Sequence, residues 1–210
     1  MSGLATVVPF DRVTPVEDLA AGIAWVRWLL QSVRARCQQV CFAPDQPDES
    51  TVGSSWSQFS VDHYLPLIGP QITEAWHVAV ARDHEALTHV DMMLDERLPA
   101  RVVSSSRAAG AVLLRTTRGA RYQGVLGHYR AAVEAGGAPG HFIVVWAAVG
   151  CFFQLSLANV LAEHLRLEWD IATRDLAQAP PPEGTHSFAA LVRSTLDSLV
   201  TDPLLLRREG

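Results

Sequence analysis

Apolar residues recur at intervals of three and four along most of this 210-residue chain. That spacing places side chains on one face of an α-helix. The longest such series follows Pro15 and two acidic residues, which suit the first turn of a helix, and it comprises Leu19, Ile23, Val26, Leu30, Val33, Cys37 and Val40. Alternating segments bounded by Asn-Gly or Asp-Gly turns, which would indicate hairpins, do not stand out. The pattern predicts an all-α chain whose first helix covers about residues 15–40.

Further helices are predicted from the same spacing and from the residues that start and stop helices. Asp83 and Ser156 are placed to cap helices, whereas a glycine-rich turn at 136–140 and a proline triplet at 180–182 end them. The predicted helices cover residues 61–82 (interrupted near Pro66 and Pro70), 84–98, 100–118, 122–135, 141–154, 157–178 and 188–200.

Helices joined by short breaks, without strands, predict that the helices pack together around one core and do not form several domains. We expect a single-domain helical bundle of about seven to nine helices over residues 1–210. A flexible loop is expected at about 44–58, where prolines and acidic residues cluster, and a C-terminal tail at about 202–210.

All 17 basic residues of the chain are arginine, so the sequence contains no lysine. Without lysine it cannot contain a P-loop, nor can it form the Schiff base of a pyridoxal phosphate enzyme. Its net charge of −5 argues against nucleic acid as a partner, because the phosphate backbone binds basic surfaces.

The most apolar segment, residues 142–153, has 12 residues. A membrane span needs about 20, so this segment is predicted to be a buried helix. Residues 1–11 have neither the charged start nor the sustained apolar run of a signal peptide, and three cysteines are too few for a disulfide framework. We therefore expect a cytoplasmic protein without membrane association.

Two short patterns are compatible with metal chemistry. Glu74 and His77 form a Glu-x-x-His motif on one helix face, but a di-metal bundle needs that motif on two helices, and no other predicted helix carries it. Cys37 and Cys41, four residues apart on the predicted first helix, would suit part of a soft-metal site or a packed core, and packing is the favoured interpretation. The eight histidines, at 63, 77, 84, 89, 128, 141, 164 and 186, are scattered.

Four stretches resemble, in order, motifs of the urease accessory protein F family (UreF). Residues 11–19, with Trp28 and Leu29 after them, are similar to the family's entry to an early helix, and residues 75–91 to its A-x-x-x-D-x-x-x-L-x-x-L-D hairpin. Residues 105–115 resemble its S-R-x-x-G-x-x-L-L-R helix. Residues 140–146, followed by 154–157, resemble its H-F-x-V-V and L-S-L segments, and these are the most specific.

The chain also departs from the family pattern. The family's Ser-Pro-x-Leu-Pro opening segment has no counterpart, and its Arg-Leu-Gly-Pro-Leu-Gly-Gln loop is matched only at Arg174 and Leu176. The resemblance nevertheless implies an all-α cytoplasmic chaperone, not an enzyme, that assists nickel incorporation into apo-urease. It implies a homodimer that binds the UreD/UreH scaffold and recruits the GTPase UreG, without a tightly bound cofactor and with transient nickel binding as an option.

No catalytic residue is expected under this resemblance, and no metal ligand is assigned. The expected partner-interface or supporting positions are Tyr64, Trp76, Arg107, His141, Arg174, Arg207 and Arg208. The six tryptophans fit interface residues and core residues equally well. Two alternatives stay open: an all-α metal-dependent oxidase or haem-oxygenase-like enzyme using Glu74 and His77, and a helical ligand-binding domain with a closed apolar pocket.

Overall fold

A computed structural model describes residues 15–42, 44, 48–117, 124–177 and 179–201 of the chain. Within those ranges there is no β-strand, which confirms the predicted all-α class. The α-helices are α1 (Pro15–Arg36), α2 (Val52–Phe59), α3 (Gly69–Val80), α4 (His84–Arg97), α5 (Ala100–Thr116), α6 (Gly124–Glu134), α7 (Phe142–Phe152), α8 (Leu157–Ala172) and α9 (Phe188–Thr201). The predicted tail at 202–210 lies outside the described residues.

Helix α7 lies at the centre of the bundle. It packs chiefly on α3 and α5, and α4, α6 and α8 also contact it. Every residue from 142 to 150 is buried. Its valine-rich sequence has modest helix propensity, so burial stabilises this helix. Among the helices of the described ranges, none has the length and apolar character required to cross a bilayer.

Helices α2 and α3 are joined by a π-helix, Ser60–Ile68, where the sequence predicted the start of a helix and an interruption near Pro66. The predicted flexible loop over 44–58 is wrong from Val52 onward, because α2 begins there and Trp56 is fully buried. Inside the π-helix the ring of Pro66 would clash with a carbonyl four residues earlier in an α-helix. A wider turn, in which the Gly69 amide donates to the Tyr64 carbonyl, accommodates the proline.

Helix α1 ends at Arg36, earlier than predicted, so the expectation that Cys37 and Cys41 share a helix face is wrong. Side chains of the C-terminal half supply the hydrogen bonds that a longer helix would have made. The Arg174 guanidinium donates to the carbonyls of Arg34 and Cys37, and the Glu168 carboxylate accepts the Cys41 and Phe42 amides. Residues 37–42 therefore follow α8 instead of extending α1.

Both predicted caps are confirmed. Asp83 accepts the Ala86 amide at the start of α4, and Ser156 accepts the Asn159 amide at the start of α8. The turn at 136–140 has the expected left-handed glycines, Gly136 and Gly140, both with φ of +77°. Helix α8 ends at Ala172 and not at 178, and the Thr173 hydroxyl donates to the Trp169 carbonyl at that end.

Candidate functional site

The carboxylate of Asp91 lies buried where α4, α6 and the start of α7 meet. Its Oδ2 accepts the Gly140 amide at 2.7 Å and the Tyr129 hydroxyl at 2.8 Å, and its Oδ1 accepts the His141 amide at 2.9 Å. Burial raises the pKa of Asp91 above its ordinary value, and these three donors oppose that rise. One side chain of α4 thus satisfies two main-chain donors of the turn that leads into α7.

One helical turn further along α4, Asp95 binds two of the residues that the sequence singled out. His141 Nε2 lies 2.9 Å from Asp95 Oδ1, and the Arg107 guanidinium donates to Asp95 Oδ2. Partial burial raises the pKa of Asp95, but the hydrogen bonds from His141 and Arg107 outweigh it and hold that pKa below its ordinary value. Arg107 on α5 and His141 at α7 therefore meet on a carboxylate that was not predicted.

Helix α5 approaches the same turn very closely. A Cβ atom added to Gly110 would lie well inside 3.0 Å of the Gly140 carbonyl oxygen, closer than real Cβ atoms come. Four residues earlier on α5, Ser106 Oγ accepts the Phe142 amide at 3.2 Å. We call Asp91, Asp95, Ser106, Gly110 and the 140–142 turn the α4–α5–α7 junction. Three of the four stretches that carried the family resemblance meet there.

The remaining predicted residues are distributed over the molecule. Tyr64 and His141 are fully buried, so any role in binding would be to support a surface from beneath. Trp76 is half-buried; its Nε1 donates to the Leu155 carbonyl at 3.2 Å. Arg107 and Arg174 are exposed. Arg207 and Arg208 lie outside the described residues.

The six tryptophans divide between core and surface. Trp56 and Trp146 are fully buried and Trp169 nearly so, whereas Trp25 and Trp28 on α1 are 57% and 53% exposed. The rings of the exposed pair touch edge to face with centroids 5.6 Å apart. Tryptophan is common at binding hot spots, so this pair is the clearest exposed aromatic feature of the described surface.

The alternatives find little support in the described residues. His77 is exposed, and Glu74 accepts a hydrogen bond from the Gln71 side-chain amide at 3.3 Å. Among the described residues, neither belongs to a group of three or more potential metal ligands. Two surface depressions are open to solvent, one lined by Trp76 and Leu155 and the other by Gln38 and Arg174. Neither is the closed apolar pocket that a ligand-binding domain would need.

A second polar cluster lies between the segment after α1 and helix α8. Cys41, His164 and Glu168 are buried, and one potential ligand atom from each lies within 4.8 Å of the other two. His164 and Glu168 share a face of α8 because they are four residues apart, with Nε2 and Oε1 separated by 3.4 Å. Among the described residues, neither ring nitrogen of His164 has a hydrogen-bond partner.

Burial dominates the electrostatics of this Cys41–His164–Glu168 cluster. It lowers the pKa of His164 to about 3, so the imidazole is neutral at physiological pH. It also raises the pKa of Glu168 to about 7, against the effect of the Phe42 and Cys41 amides. Burial and the neighbouring Glu168 raise the pKa of the Cys41 thiol. The cluster therefore disfavours net charge of either sign.

Sequence reasoning missed Asp91, Asp95 and Glu168 as organising carboxylates. The spacing of His164 and Glu168 within a predicted helix was the one visible signal for the second cluster. Asp91 stood at the end of a family-like stretch, but its partners come from 38 to 50 residues further along the chain. Nothing local to the sequence indicates such pairings.

The fold and the junction define a class of all-α protein. The residues that resemble the family motifs hold helices together, and among the described residues they form no catalytic constellation. A family model described as UreF matches residues 56–167, more than half of the chain. The chain belongs to the UreF family, whose members are urease accessory proteins and not catalysts. No curated protein and no solved structure matches the chain. The family match includes the α4–α5–α7 junction and His164, and leaves out residues 11–19, Arg174, Arg207 and Arg208.

Proposed function

We propose that this protein is a non-catalytic chaperone that assists nickel incorporation into apo-urease in the cytoplasm. The observation that carries the proposal is the UreF match over residues 56–167, because the stretches within it form one connected junction of α4, α5 and α7. A shared set of residues with a joint structural role supports common ancestry better than scattered similarities would.

In this proposal the chain works through complexes. It forms a homodimer, binds the UreD/UreH scaffold and recruits UreG, which supplies the GTP hydrolysis. That division of labour fits the absence of lysine, because a chain without a P-loop lysine must rely on a partner for nucleotide chemistry. Nickel is cargo in this scheme, passed towards urease by the assembled complex.

Arg107 is the predicted interface residue that suits a direct contact best. It is exposed on α5 and bound to Asp95. Because His141 holds the Asp95 carboxylate in place, the guanidinium of Arg107 is kept in a fixed position at the surface. Arginine is enriched at binding hot spots. Its ion pair is partly solvated, so its loss is expected to cost little folding stability.

The test is co-purification of the tagged full-length chain with UreD/UreH and UreG, together with urease activation in a host whose own UreF gene is deleted. We expect a complex and restored urease activity, and we expect Arg107→Ala to weaken the complex at least tenfold. Arg97→Ala, an exposed arginine at the end of α4, is the matched control and should leave binding unchanged. If the folded protein forms no complex and activates no urease, the proposal is wrong.

A further inference from the structure

We propose that Cys41, His164 and Glu168 bind one divalent transition-metal ion, with zinc(II) as the expected occupant, and that this ion links the segment after α1 to helix α8. The site stands on the geometry of the chain and does not depend on the proposed function. It departs from the expectation that no metal is tightly bound.

The unpartnered imidazole of His164 is the first observation behind the proposal. His164 is fully buried, and neither Nδ1 nor Nε2 has a hydrogen-bond partner in the part of the chain that the structure describes. Buried polar side chains in native proteins are nearly always satisfied, so an imidazole without partners requires an explanation. A metal ion bound at Nε2 accounts for that nitrogen, because neutral imidazole is among the commonest metal ligands.

The spacing of the donor atoms is the second observation. Two ligands about 2.0–2.2 Å from a tetrahedral ion lie about 3.4 Å apart, and His164 Nε2 lies 3.4 Å from Glu168 Oε1. The Cys41 ligand atom lies within 4.8 Å of both. A thiolate on the same ion would sit about 3.6 Å from the other donors, so a shift of at most about 1.2 Å brings the sulfur into place.

The types of donor indicate which ions fit. Thiolate, imidazole and carboxylate together suit zinc(II), cobalt(II) and nickel(II), whereas magnesium and calcium prefer oxygen alone. A thiolate and a carboxylate would balance the charge of a divalent ion in a buried place. On binding, the thiol S–H bond breaks and the metal–sulfur bond forms, and the thiol proton leaves to solvent together with any proton that the Glu168 carboxyl carries.

The surroundings of the carboxylate also suit a metal ligand. Glu168 Oε1 accepts the Cys41 amide at 3.0 Å and Oε2 accepts the Phe42 amide at 3.0 Å. Such outer hydrogen bonds fix the orientation of a ligating carboxylate, which keeps lone pairs for an ion. Three protein ligands leave one position of a tetrahedral ion for an exogenous donor. Without metal, a Cys41 thiol bonded to Glu168 would satisfy the carboxylate, but it would leave His164 Nε2 without a hydrogen-bond partner among the described residues.

The test is cobalt(II) titration of the full-length protein after treatment with a chelator. We expect one equivalent to give a thiolate-to-cobalt charge-transfer band and the intense visible bands of tetrahedral cobalt, and we expect zinc(II) to displace it. Cys41→Ser should abolish the charge-transfer band, and His164→Asn should weaken binding at least tenfold. Cys37→Ser, which removes a buried thiol four residues away, is the matched control and should leave the spectrum unchanged.

A surface site is the competing outcome. His84 and His128 have rings whose centroids lie 5.1 Å apart, so His84→Ala with His128→Ala tests adventitious binding there. Cobalt binding that disappears in that double variant and persists in Cys41→Ser overturns the proposal, as does the absence of any charge-transfer band. Should Cys41→Ser fail to fold, X-ray absorption of the zinc-loaded unmodified protein decides. One sulfur in the first shell supports the site, and a shell without sulfur contradicts it.

Discussion

His141 Nε2 lies 2.9 Å from Asp95 Oδ1, while the backbone amide of the same histidine lies 2.9 Å from Asp91 Oδ1. The residue that precedes α7 is therefore attached to α4 twice, through its main chain and through its side chain. The two carboxylates are four residues apart and share one face of α4. This arrangement fixes where the central helix begins relative to its neighbour.

Gly110→Ala should destabilise the protein by about 3 kcal/mol, at the upper end of overpacking effects. The added methyl group would meet the Gly140 carbonyl and the Phe142 amide, which are backbone atoms and cannot rotate away. Urea unfolding followed by circular dichroism measures the change.

Gly53→Ala is the control for that prediction. No atom of the described residues lies within 4 Å of a Cβ atom at Gly53 in α2, so alanine should raise the free energy of unfolding by about 0.5–1 kcal/mol. Equal effects of the two substitutions would contradict the close approach of α5 to the turn.

Asp91→Ala should lower the free energy of unfolding by about 3 kcal/mol or more, because it leaves the Gly140 and His141 amides and the Tyr129 hydroxyl without an acceptor. Tyr129→Phe removes only one of those bonds and should cost about 1.5 kcal/mol. Chemical denaturation of both variants gives the comparison. A Tyr129→Phe effect as large as that of Asp91→Ala would mean that the main-chain bonds contribute little.

The stability of the protein should fall as pH drops below about 4, the ordinary pKa of an aspartate. Despite partial burial, hydrogen bonds from His141 and Arg107 hold the pKa of Asp95 below that value. A carboxyl with a lowered folded pKa stabilises the fold above its unfolded pKa, and the contribution is lost as pH falls through the folded pKa. Because the side chain is 33% exposed, we expect a fraction of a kcal/mol.

Asp95→Asn should accordingly make the decline of unfolding free energy between pH 4 and pH 2 shallower, in about the range where a carboxyl titrates. Glu96→Gln, an exposed neighbour on α4, serves as the charge-matched control. A steeper decline in Asp95→Asn than in the unmodified protein would show that the carboxylate is not stabilised in the folded state.

Arg174→Ala should cost about 1–2 kcal/mol of stability, because the guanidinium donates to the carbonyls of Ile171, Arg34 and Cys37. Lysine cannot reproduce that fork of donors, so Arg174→Lys should recover less than half of the loss. Arg193→Ala, at an exposed position of α9, is the control. Unchanged stability combined with lost binding of UreD/UreH or UreG would identify Arg174 as a partner contact instead.

The starts of α4 and α8 and the turn before α7 were predictable because their causes are local. The caps at Asp83 and Ser156 depend on residues within one turn, and the left-handed turn depends on glycines at Gly136 and Gly140. The segment at 142–153 was also predictable as a buried helix, since a run too short for a membrane must be covered by other helices.

The end of α1 and the second polar cluster were not predictable, because their causes lie far along the chain. Arg174 and Glu168 form hydrogen bonds with backbone groups of residues 34–42, although they lie more than 120 positions further along the chain. The local sequence contains no signal that ends the helix at Arg36. The π-helix is a related case: Pro66 signalled a break, but burial of Tyr64 and Ile68 on either side of it keeps the chain helical through it.

Because α7 is buried on all sides, burial alone does not determine the rotation of this helix about its own axis. An amphipathic helix is oriented by its apolar stripe, but residues 142–150 are buried on all sides, so the hydrophobic effect favours many rotations nearly equally. Polar bonds break that degeneracy: Ser106 binds the Phe142 amide at one end, and the Trp146 indole donates to the Val160 carbonyl at 2.9 Å further along. A few directional contacts thus select one rotational state of a helix that hydrophobicity alone would leave free to turn.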